Sequence, residues 1–147
     1  MNPKSVFIPK SVIDEALATP PVKGKHPIAS FKERLALLGV PSGTIEILEN
    51  YQVERFENPT ELHERVADLW IGLEGAVIFV VGGELVDRTA HPTKQFEWKG
   101  TSITGGVEHV VGPGDILYIP PGDPHTHFGS GRLYIVKIPV IISVPGV

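Results

Sequence analysis

The spacing of apolar residues changes once along this chain. Up to about residue 43 they recur three and four positions apart, and from Thr44 onward they recur at every second position. In the first part, "SVIDEALA" predicts a short helix capped by Ser11 and stopped by "TPP". "SFKERLALLG" predicts another: Ser30 and Glu33 make a capping box, Phe31, Leu35 and Leu38 share one face, and Gly39 sits where a left-handed stop is wanted. Such a stripe must be covered by something. Residues 1–43 are therefore read as an arm of one or two short helices packed on the main body or on a second subunit, with "GVPSG" as its joint.

From Thr44, "TIEILENYQVERF", "DLWIGL", "AVIFVV", "DILYIP" and "RLYIVKIPVII" read as strands, separated by turns at "LEG", "VGG", "GPGD" and "PPGD". Many short strands with no long helix between them predict an all-β sandwich or barrel over residues 44–147.

Composition narrows the function. A chain of 147 residues is read as one domain, and its 16 Gly and 14 Pro agree with many turns. A net charge of -4 without a Lys/Arg cluster argues against a nucleic-acid partner. Zero cysteines exclude disulfides and thiolate metal ligands. No apolar run approaches a membrane span or a signal peptide, so no membrane partner and a cytoplasmic location are expected. There is no nucleophile elbow and no dinucleotide fingerprint, and "GTSITGG", lacking the lysine of a phosphate loop, reads as a flexible loop or pocket lid.

Two stretches carry candidate chemistry. "ELHERVADLWIGLEG" sets Glu61, His63 and Asp68 ahead of an apolar strand, either as a solvated hairpin corner or as part of a metal site. In "GPGDILYIPPGDPHTHFG", a strand and a tight turn precede His125, which opens the returning strand, with His127 one pleat further on the same face.

The run Gly114, Pro120, Gly122, His125 resembles the second sequence motif of the cupin superfamily. Counting back from Gly75 places Asp68, His63 and Glu61 on the first motif, with Glu61 where a histidine is usual and Asp68 where a glutamate is usual. Gly129 stands where cupins usually have asparagine. The resemblance covers roughly Thr44 to Val140 and implies an antiparallel jelly-roll β-barrel. It also implies a divalent transition metal (Fe, Mn, Ni or Zn) held by Glu61, His63 and His125, two histidines and one carboxylate. Asp68 is either a further ligand or a partner of His63 or of a metal-bound water. Asp68 and His127 are the candidate proton carriers in catalysis. Trp70 and Tyr118 face either the cavity or the core, His109 is a candidate for the pocket mouth, and His26 and His91 fall in expected loops. The implied function is a small metal-dependent cupin enzyme (oxygenase, isomerase or lyase) acting on a small polar organic molecule; the alternative is a non-catalytic cupin that binds or senses a small ligand. A homodimer is expected, built on the arm and the apolar tail "IPVIISVPGV".

Overall fold

The computed structural model describes residues 5–39 and 44–140, so most of the expected joint and the end of the apolar tail lie outside the described residues. The described chain is mostly antiparallel β. In order, it runs α1 (Lys10–Leu17), β1 (Gly24–Ser30), α2 (Lys32–Leu37), β2 (Thr44–Val53), β3 (Thr60–His63) and β4 (Val66–Val81). Then follow β5 (Glu84–Val86), β6 (Thr89–Ala90), β7 (Glu97–Gly100), β8 (Ser102–Thr104), β9 (Val107–Val111), β10 (Ile116–Ile119) and β11 (His125–Pro139).

The long strands β4 and β11 pair along their whole length, from His125 opposite Val81 to Pro139 opposite Val66. On its other side β11 pairs with β2 and, at His125, with β3; β9 and β10 lie end to end along the far side of β4. The interior is filled by Leu48, Trp70, Val77, Phe79, Val111, Ile119, Leu133 and Ile135.

One detail of the pattern reading changes. "LEG" is not a turn between two strands: β4 continues through it, and its register against β11 shifts between Arg132 and Leu133. Asp68 and Trp70 point inward before the irregularity, and Val77 and Phe79 point inward after it, so the alternation moves from even to odd positions. That is the signature of a β-bulge. Gly75 has φ +66°, and a Cβ there would lie 2.5 Å from the Ser130 carbonyl oxygen, so glycine is required where the strand bends.

The arm also differs from its reading. α1 begins at Lys10 with Pro9 at its cap, so Ser11 is inside the helix. Ser30 ends β1 opposite Glu46 and caps nothing; the turn of helix after it starts from Phe31 without a side-chain cap. Strand pairing uses the backbone that the capping box would have needed. Gly39 does adopt the left-handed stop, with φ +85°. β1 adds a strand beside β2, and Ile13 and Ala16 of α1 pack on Ile47. β2 is consequently buried on both faces, with Leu48 inward and Ile47 under the helix. "GTSITGG" is also more ordered than a lid, since β8 pairs with β5.

Candidate metal centre

The site is built where β3, β4 and β11 converge. Alternation along the four residues of β3 turns Glu61 and His63 to the same side. Glu61 is the cross-strand neighbour of His125 at the start of β11. The "PPGD" turn that launches His125 is tied to β3, because the Gly122 N–H donates to the His63 carbonyl at 2.7 Å. Asp68, on the first turn-free stretch of β4, completes the ring of side chains. The metal-ligating atoms offered by Glu61, His63 and His125 all lie within 4.8 Å of one another.

Both imidazoles are held by their Nδ1 atoms, leaving Nε2 toward the centre. His63 Nδ1 pairs with Glu97 Oε2 at 2.6 Å, and Glu97 is its cross-strand neighbour on β7. His125 Nδ1 donates to the Asp123 carbonyl at 3.1 Å. This is the arrangement by which outer carboxylates and carbonyls orient metal-binding histidines. Asp68 Oδ2 lies 3.2 Å from His125 Nε2 and 3.5 Å from His63 Nε2, and Glu61 Oε2 lies 3.7 Å from His63 Nε2. Asp68 thus faces the ligating atoms themselves, while the task of holding His63 from behind falls to Glu97.

The donor set fits a divalent ion on an independent observation. His125 Nε2 and Asp68 Oδ1 are buried without a well-formed hydrogen bond, facing Asp68 Oδ2 at 3.2 Å and Lys137 Nζ at 3.7 Å respectively, and Trp70 Nε1 and Asn58 Nδ2 are likewise unsatisfied. All four residues line one cavity of about 70 Å³, together with Glu61 and His127. Each buried unpaired polar group costs about 1–3 kcal/mol, so their concentration around one void points to a polar occupant.

Charge at the site is poised for a cation. Burial alone would raise the Glu61 carboxyl, but Lys25, His125, His63 and Lys137 outweigh it and hold it down to about 2. Asp68, which burial also pushes upward, is driven well below the carboxylate range by its contacts with His125 and His63. Burial disfavours the His63 imidazolium, yet the bonds to Asp68 and Glu97 win and raise it to about 9. At neutral pH His63 therefore carries a proton that a metal must displace, whereas the carboxylates are already ionised. Metal affinity is accordingly expected to rise by about tenfold per pH unit from neutrality and to level off above about 9. Chelator-competition titrations across that range check it; a flat profile would contradict the assignment of His63.

His127 points into the same cavity but is a different kind of residue. Full burial pushes it well below its ordinary value. Asn50 Nδ2 donates to its Nδ1 at 2.5 Å, and its ring packs 4.9 Å from Trp70 and 5.0 Å from Phe79. It is a neutral imidazole with its proton on Nε2. Trp70 lines the cavity, but Tyr118 lies on the outer surface at 53% exposure and His109 is exposed. His26 lies in β1 and pairs with Glu49 at 2.8 Å, while His91 lies in a loop beside the outer part of the site. Three contributors escaped the sequence reading: Glu97, Lys137 and Lys25. Lys137 Nζ lies 3.4 Å from His63 Nε2 and 3.7 Å from Asp68 Oδ1. The strand alternation in "RLYIVKIP" was the one available signal, since it puts Lys137 on the inward face with Leu133 and Ile135.

No protein-family model and no curated protein sequence matches this chain. Solved structures do. Fe(II) HppE superposes with a TM-score of 0.50 over 69% of this chain and 45% of its own, at 13% identity. Oxalate oxidase in complex with the substrate analogue glycolate aligns over 87% of this chain and 58% of its own, at 18% identity and a TM-score of 0.49. The chain spans about half the length of the structures it matches. The first likeness shows the fold, an antiparallel β architecture shared with Fe(II) HppE, and within it this chain gathers half-buried Glu61 with buried His63 and His125.

Proposed function

We propose that this protein is a metal-dependent cupin enzyme in which Glu61, His63 and His125 hold a divalent transition ion, with Asp68 as a fourth oxygen donor or as the partner of a bound water. The observation that carries this is the convergence of the Glu61, His63 and His125 ligating atoms within 4.8 Å of one another, beside His125 Nε2 and Asp68 Oδ1, which are buried without a formed hydrogen bond. A bound ion of this kind supplies Lewis-acid polarisation of a coordinated oxygen and activation of water.

The protein's own side chains would do the rest. Asp68 stays ionised and is the nearest base to an oxygen held at the centre. His127, kept neutral by Asn50 and the aromatic rings, presents an Nε2–H that orients a polar group without trading its proton freely. Trp70 closes the inner wall, backed by Phe79 in the core, and excludes bulk water. Oxygenase, isomerase and lyase chemistry are all compatible with this set, and the substrate is a small polar organic molecule.

The test is metal content. Protein purified without an affinity tag is expected to hold one first-row divalent ion per chain by elemental analysis, and no metal after equilibration with Fe(II), Mn(II), Ni(II) and Zn(II) would favour a non-catalytic ligand-binding role. Glu97→Gln keeps the shape but removes the charge behind His63, and is expected to weaken the ion by about 10- to 100-fold in chelator competition.

A further inference from the structure

We infer that the ligand of this centre is a small organic anion of the carboxylate class, recognised by Lys137 at the ion and drawn in by a cationic mouth. This rests on the metal reading above and adds the substrate's charge. Three adjoining cavities meet at the site: the inner one of about 70 Å³, an outer basin of about 630 Å³ and a side cleft of about 150 Å³. Lys137 lines all three, and its ammonium lies 3.4 Å from His63 Nε2 and 3.7 Å from Asp68 Oδ1.

The charge around this junction is opposite to that of the chain. Although the protein carries a net charge of -4, Lys25, Lys32, Arg65, Lys94 and Lys99 also line these cavities, and none makes an ion pair with a carboxylate among the described residues. Elsewhere Lys10 pairs with Asp14, Arg55 with Glu108, Arg88 with Glu64 and Arg132 with Glu49, while Lys23 and Arg34 stand apart from the cavities without a carboxylate partner among the described residues. Of the carboxylates lining the cavities, Glu61 and Asp68 face the ligating atoms and Glu97 is engaged by His63, which leaves Glu46 to offset the mouth.

A divalent ion would be balanced by Glu61 and Asp68, so it leaves Glu46 as the remaining cavity-lining carboxylate against the surrounding cations. A cleft of one sign focuses its field and concentrates ligands of the other sign. The inner cavity has room for about two water molecules at roughly 30 Å³ each, the size of a planar carboxylate head. The basin beyond it, walled by Arg65 stacked 3.6 Å over Phe96, takes the remainder of the molecule. One oxygen of the head would face the ion and the other the Lys137 ammonium, a charge-assisted contact.

The experiment uses Co(II)-loaded protein and follows its visible absorption during titration with acetate, lactate or succinate and with the matching neutral amides. Each acid is expected to bind more tightly than its amide, with an advantage that shrinks as salt is added. Lys137→Met should retain Co(II) and lose about 10- to 100-fold in affinity for the acids, with Lys137→Arg restoring part of it. Lys32→Gln with Lys94→Gln, on exposed side chains, should leave Co(II) binding intact and reduce the salt dependence. If no acid is preferred over its amide while Co(II) binds, the anion inference is overturned and the metal site stands. If the wild-type protein does not take up Co(II), both readings fall.

Discussion

Alanine at His63 or at His125 is expected to abolish stoichiometric metal binding while the barrel still folds. Each imidazole contributes one ligating Nε2 from a different strand, so either loss leaves too few donors for a tight site. The effect should exceed the roughly 10- to 100-fold of an outer partner. Folding should survive because His125 lines the inner cavity and His63 the side cleft, and neither belongs to the apolar cluster that fills the interior. Glu61→Ala should weaken binding, and Glu61→His should recover it with three nitrogens. Asp68→Asn decides the role of Asp68: a ligand would be lost severely, a water partner within the same 10- to 100-fold window. Equilibrium dialysis with elemental analysis reads all of these, and metal retained in the His63→Ala, His125→Ala double variant would place the site elsewhere.

The largest expected effect on stability lies on the opposite face of the sheet. Arg132 is 6% exposed; its Nε donates to Glu49 at 2.8 Å, and its two amino groups donate to the carbonyls of Leu17 and Thr19 at 2.7 and 2.6 Å. Glu49, 1% exposed, also accepts from the Val22 N–H and pairs with His26. One buried ion pair thus clamps the end of α1 and the chain after it onto β2 and β11. Removing one partner of such a pair leaves a buried charge uncompensated and costs about 3–5 kcal/mol. Arg132→Met should lower stability by that much in urea unfolding, and adding Glu49→Leu should recover most of the loss. Burial opposes the Glu49 charge, but the Val22 and Arg132 bonds win and lower its pKa. Its contribution is therefore present above the ordinary carboxylate range and fades as pH falls through the lowered value. A cost below about 1 kcal/mol for Arg132→Met would show that the arm is held by Ile13, Ala16 and Ile47 instead.

The two segments that were easiest to read, "ELHERVADLWIGLEG" and "GPGDILYIPPGDPHTHFG", are those where local chemistry and register coincide. A turn glycine at Gly122, with φ +90°, and the two-residue pleat are enough to set His125 and His127 on one face. The capping box at Ser30 failed for a reason no window of sequence contains. Ser30 had a competing partner in Glu46, sixteen positions away, and strand pairing took it.

The same contrast runs through the site. From the chain alone came the β class, the turns at "VGG", "GPGD" and "PPGD", and the grouping of Glu61, His63 and His125 through their likeness to cupin motifs, because those features depend on neighbours within a strand or a turn. Tertiary structure decided that "LEG" is a bulge carrying β4 onward, that β1 belongs to the sheet, and that Glu97, Lys137 and Lys25 stand around the centre. Glu97 lies 34 positions from His63 and Lys137 lies 74 from it. Side-chain identity and spacing specify what a residue can do, but which distant strand lies beside it is set by burial of the whole apolar face, and that is a property of the folded sheet.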